Sequence, residues 1–131
     1  MIDAHFVFRT RGFIDSPEVL ADNVNGISGH ALASWLAGAT AKHGFLATEV
    51  WPEEHGWAVE LSRDGQTYLA TCSIESDEAD LAEAHVCLTK HRSVWERVRG
   101  RSAFEKSEAV VGHIQAALES SVDVEGLSLD I

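Results

Sequence analysis

Between Phe45 and Glu75 the chain reads as a run of antiparallel strands, and no other stretch so narrows what the remainder can form. Phe45 to Trp51 is strand-like and stops at Pro52, after which Glu53-Glu54-His55-Gly56 makes a turn. Trp57 to Leu61 alternates apolar and polar residues, as a strand with one buried face must. Arg63-Asp64-Gly65-Gln66 carries Asp-Gly, which suits a tight primed turn because both of its central residues need positive φ. Tyr68 to Ile74 then returns alongside.

The flanking segments supply elements that cover or extend this centre. His5 to Thr10 is a first strand, with Phe6 and Phe8 on one face and His5, Val7 and Arg9 on the other. Ser16 caps a short helical turn that Pro17 begins, and the cluster from Asp22 to Gly26 ends it inside a long loop. A longer helix opens at Ser28 or Gly29 and runs to about His43, where Gly44 serves as a left-handed cap. Leu32, Trp35, Leu36 and Ala39 form its buried stripe. Glu75 to Asp80 is acid-rich and reads as a solvated loop. Ala82 to Lys90 alternates again, with Ala84, Val86 and Leu88 facing one way and His85, Cys87 and Thr89 the other. Ser93 to Val98 favours a short strand over a turn, since Val94, Glu96 and Val98 alternate with Trp95, Arg97 and Arg99. Ser102 and Glu105 suggest a capping box for a last helix reaching about Ser120, with Phe104, Val111, Ile114 and Leu118 as its stripe. Ser121 to Ile131 alternates around Gly126 as an edge strand or an extended strap.

The order β-α-β-β-β-β-α predicts an α+β fold: one antiparallel sheet of about five strands, with two helices packed on one face. A chain of 131 residues suits one domain, 1–131. No apolar run is long enough to span a bilayer, and no basic-then-apolar leader opens the sequence. The expectation is a cytoplasmic protein with Cys72 and Cys87 reduced.

Charge narrows the partners. With 21 acidic residues against 10 basic ones, the formal charge of -11 repels phosphate backbones and anionic lipids, so neither nucleic acid nor membrane is expected. Such a field speeds encounter with a basic protein. Six of the ten cations nonetheless fall together: Lys90, Arg92, Arg97, Arg99, Arg101 and Lys106. Trp95 lies among them, and an aromatic between arginines is the composition of a binding hot spot. Trp95, Arg92, Arg97 and Arg99 are therefore candidate binding residues. A second candidate is the sheet face away from the helices, which carries His5, Arg9, Glu60, Thr71, Ser73, His85 and Thr89. Convergence of His5, Glu60 and His85 there would mark a site.

Catalytic and metal motifs are scarce. No CxxC, HExxH or HxH spacing occurs; Glu53-Glu54-His55 and the trio His5, His85 and Cys87 are the remaining groupings, so no metal or cofactor is expected. No GxSxG elbow is present, and neither cysteine has the cationic flank that lowers a thiol pKa, so no catalytic residue is assigned. Gly26-Ile27-Ser28-Gly29 offers backbone N–H groups ahead of a helix but lacks the lysine and spacing of a phosphate loop. The sequence reads best as a non-enzymatic protein-interaction module: an inhibitor or immunity-type protein for a basic target, or a homodimer. The alternative is a small-molecule-binding protein or enzyme that uses the open sheet face.

Overall fold

The computed structural model describes residues 2–75, 81–105 and 107–131; the acid-rich segment 76–80 and Lys106 lie outside the described residues. The architecture is α+β, built on one antiparallel sheet. In chain order the elements are β1 (Ala4–Thr10), α1 (Pro17–Ala21), α2 (His30–Ala41), β2 (Leu46–Ala47), β3 (Trp51–Glu53), β4 (Gly56–Arg63) and β5 (Gln66–Glu75). They continue as β6 (Ala82–Lys90), α3 (Val94–Val98), α4 (Ala109–Ser120) and β7 (Glu125–Asp130). The sheet runs β2-β4-β5-β6-β1-β7, with β3 also paired to β4.

Seven strands replace the expected five or so, for two reasons. The segment from Phe45 onward is not one strand but an interrupted edge, in which β2 pairs with Leu61 and Ser62 and β3 pairs with Gly56 to Ala58. Between them the Thr48 N–H still donates to the Glu60 carbonyl, but its hydroxyl rather than its carbonyl accepts from the Glu60 N–H. Pro52 does not stop the edge but sits within β3, where a missing N–H is tolerated on an outer strand. At the other edge, Glu125–Asp130 adds to β1 as β7.

The central hairpin follows the expected register. Asp64 and Gly65 both take positive φ, 52° and 79°, closing the Arg63–Gln66 turn between β4 and β5. Phe6, Phe8, Val59, Leu61, Ala70, Cys72, Val86 and Leu88 then share one core cluster with Leu32 and Leu36 of α2 and Ile114 and Leu118 of α4. Trp57 joins that cluster, and its indole N–H donates to the Ile27 carbonyl.

Two helical expectations change. Ser93 to Val98 is not a strand: Ser93 and Glu96 form a capping box that starts α3, and these local bonds outweigh the two-residue alternation. Ser102 does not cap the last helix, because its φ of 57° is incompatible with an N-cap, and α4 begins only after Glu108. Glu108 is fixed from outside the helix. Its carboxylate accepts from the Tyr68 hydroxyl and the Glu105 N–H and pairs with the Lys90 ammonium at 3.0 Å.

Candidate functional site

The first candidate is built on α3. Lys90 ends β6 on its core side and is only 7% exposed, so it does not join the basic surface that the sequence suggests. The chain then turns outward through His91 and Arg92. Arg92 is half-buried and is spent on the fold, since its guanidinium donates to the carbonyls of Arg101 and Glu96 and ties α3 to the following loop. Hydrogen bonds from the Ser102 side chain and the Ser93 N–H hold the Glu96 carboxyl below its ordinary value, which fixes the start of the helix.

What this scaffold displays is apolar. No residue of α3 is buried, and Val94, Trp95 and Val98 are 79%, 63% and 74% exposed. Val94 and Val98 stand one turn apart, so they share a face. Arg99 lies over the Trp95 ring at 4.3 Å, a cation–π contact that orients the indole. Arg97 and Arg101 are exposed nearby. Beside the helix is a notch of about 330 Å³, lined by Asp3, Thr89, Lys90, Arg92 and Arg97. The structure thus unites Trp95, Arg97 and Arg99 as a surface and makes Arg92 its support.

The second candidate lies at the opposite end of β6. His5 and His85 come together across the β1–β6 ladder, with His5 Nε2 2.8 Å from His85 Nδ1 and the rings stacked at 5.0 Å. His85 Nε2 is 2.9 Å from the Glu83 carboxylate. This sequence of contacts fixes the proton positions in the neutral pair. A carboxylate only accepts, so His85 Nε2 carries the hydrogen, Nδ1 accepts from His5 Nε2–H, and the acceptor of the chain is left at His5 Nδ1. Glu60 does not converge on them. It is exposed on β4 opposite Leu69, two strands from β6, or about 10 Å to the side.

His85 and Cys87 form part of the floor of a cleft of about 580 Å³. The floor continues over Thr71 and Ser73, which pair with Cys87 and His85 in the ladder. One wall is the loop from Gly26 to Ser28, with Leu20 of α1; another is His55, in the turn between β3 and β4. Asn23 joins these walls. Its amide donates to the carbonyls of Glu53 and Gly56, at 3.0 and 2.9 Å, and its carbonyl accepts from Asn25 and Ile27. Ser28 then bridges to Ile74 on β5, which pins the loop to the sheet.

Three other sequence candidates resolve differently. The N–H groups of Gly29, His30 and Ala31 at the start of α2 are not open to an external anion, because the Asp15 carboxylate already accepts from all three. Cys72 and Cys87 are free thiols on adjacent strands but face opposite sides of the sheet, one in the core and one in the cleft. Burial pushes both thiol pKa values up, and for Cys87 the nearby Glu53 adds to the shift, which disfavours a reactive thiolate. Among the described residues no group of three or more His, Cys, Asp or Glu is placed to hold a metal ion. No described helix is long and apolar enough to cross a membrane.

Comparison with family models, with curated proteins and with solved structures finds no match.

Proposed function

We propose that the chain is a non-enzymatic interaction module of the cytoplasm that docks an acidic protein surface through α3. In this reading α2 and α4 cover one face of the sheet, and Trp95 is the anchor of an outward patch with Val94 and Val98 beside it and Arg97 and Arg99 around it. The observation that carries it is the exposure of an aromatic and two valines on a helix with no buried residue, flanked by exposed cations. Apolar side chains clustered on a surface and rimmed by charge mark contact sites, and Trp and Arg dominate their energetics. The chain itself supplies a suitable partner. With a formal charge of -11 and three exposed arginines, Arg97, Arg99 and Arg101, gathered here, one copy presents acid to another copy's α3.

Sedimentation equilibrium tests this on wild type and Trp95→Ala. Wild type is expected to self-associate or to carry a co-purified chain. Association should weaken as the Debye length falls from roughly 10 Å to 3 Å. Loss of the Trp95 ring should weaken it by about 2 kcal/mol or more. A wild-type protein that is monomeric at every salt concentration and captures no chain would refute the proposal, as would a complex that Trp95→Ala leaves intact.

A further inference from the structure

We infer that the cleft over the open face of the sheet is a binding site for a small alkylammonium ion. It stands apart from α3, at the other end of β6, and does not depend on the reading of that helix.

The cavity is a built feature of the fold. Asn23 is buried and uses two donors and two acceptors to hold the loop and the β3–β4 turn against each other, and the loop's Ser28 is bonded into the sheet. Its volume of about 580 Å³ lies within the range of sites for small organic molecules. Walls held by a buried amide keep their shape without a ligand, so little ordering cost opposes binding.

The lining selects the class of occupant. Leu20 and Ile27 offer an apolar wall, whereas Ser73 and Glu75 lie two residues apart on β5 and share the open face. Among the described residues no lysine or arginine lines the cleft. Arg9 stands opposite Glu83 at the end of β1, outside the lining. The carboxylates are arranged otherwise. Glu75 lies directly opposite Glu83 in the β5–β6 ladder, a like-charge pair that disfavours the bare site. Glu83 is engaged by His85, whereas the Glu75 carboxylate forms no ion pair among the described residues. Glu53 adds negative charge, since its field reaches Cys87 on the floor. An anion would meet this field with no cation to pair with. A primary ammonium instead places three N–H donors against Glu75 and the Ser73 hydroxyl, and its alkyl chain lies along Leu20 and Ile27.

The test is a titration followed by 1H–15N correlation spectra, using n-butylammonium with 1-butanol and butyrate as neutral and anionic analogues of similar shape. Saturable shifts are expected for n-butylammonium at the amides of Ile27, Thr71, Ser73, His85 and Cys87, with smaller or no shifts from the other two. Glu75→Gln should lower the affinity roughly fivefold, the size of one exposed to half-buried charge contact. Ser73→Ala, which leaves the charge in place, should weaken binding less. The inference fails if butyrate or 1-butanol binds as well as the ammonium ion, or if Glu75→Gln leaves the affinity unchanged. It fails equally if the shifts spread over the acidic surface without saturating, which would mean unspecific attraction to a chain of charge -11.

Discussion

Residues that look incidental in the sequence organise the structure. Asn23 sits in a run of loop-forming residues and reads only as a helix breaker, yet it is 4% exposed and makes four hydrogen bonds. Truncating it leaves the Glu53 and Gly56 carbonyls without their donor, so Asn23→Ala is expected to cost about 1–3 kcal/mol in thermal or urea unfolding. Asn23→Asp should cost more, because it turns a carboxylate oxygen toward those same two carbonyls. Equal stabilities for wild type and both variants would show that the amide does not hold the loop. Asp15 and Lys90 escape a linear reading for the same reason. Each is satisfied by partners remote in sequence, namely the start of α2 for Asp15 and Glu108 for Lys90. His5 and His85, by contrast, are legible, since alternation alone places both on the face where they pair. Glu60 shared that face but not their neighbourhood, because face is set by periodicity and neighbourhood by strand order.

At the scale of elements, alternation and turn chemistry located the long strands, whereas short elements followed local bonds that the pattern conceals. The Asp64-Gly65 turn, the strands on either side of it and β6 were legible because their signals are repeated along several residues. In α3 a capping box reverses a strand-like pattern, and the start of α4 depends on side chains from β5 and β6. That dependence has a pH signature. Burial, then the hydrogen bond and charge of Glu108, push the Tyr68 phenol above its ordinary value of 10.0. Burial alone would raise the Glu108 carboxyl, but bonds from Tyr68, the Glu105 N–H and Lys90 hold it below its ordinary 4.5. A depressed carboxyl stabilises the fold above its unfolded value, and the gain is lost as pH falls below 4.5. A raised phenol stabilises the fold below its unfolded value, and that gain is lost as pH rises past 10.0. Melting temperatures between pH 7 and pH 3 should therefore fall less in Glu108→Gln than in wild type, and Tyr68→Phe should flatten the alkaline limb. Lys90→Ala should be the harshest change of the group, about 3 kcal/mol, because it strips the cation from a mostly buried carboxylate.

Across the whole molecule, the sheet has two unequal edges. The β2/β3 edge is broken by Thr48 and carries Pro52, two devices that discourage another strand from adding there. The other edge is β7, which shields β1 and alternates Leu127 and Leu129 with Ser128 and Asp130. Val124, Leu127 and Leu129 pack against the core cluster, so β7 contributes apolar burial as well as ladder bonds. Its charged residues also blunt the outermost edge, as short or acidic edge strands do. The alternation of this segment was plain in the sequence, but its partner was not, since an edge strand is equally suited to its own sheet or to a second copy's. Pairing to β1 within the chain occupies that strand edge, and α3 is an exposed apolar surface elsewhere among the described residues. Deleting the residues after Ser121 separates the two roles. Without β7 the outer row of β1 N–H and C=O groups is open, and the core cluster loses the cover of Leu127 and Leu129. The truncated chain is expected to unfold several kcal/mol more easily, given about 25 cal/mol per Å² of apolar surface uncovered. It should also form assemblies that resist high salt, because strand addition is driven by backbone bonds and apolar contact rather than by charge. Light scattering of full-length and truncated protein across a salt series checks this. Truncated protein that remains as monodisperse and as stable as the full chain would mean that β7 neither covers the core nor guards the edge.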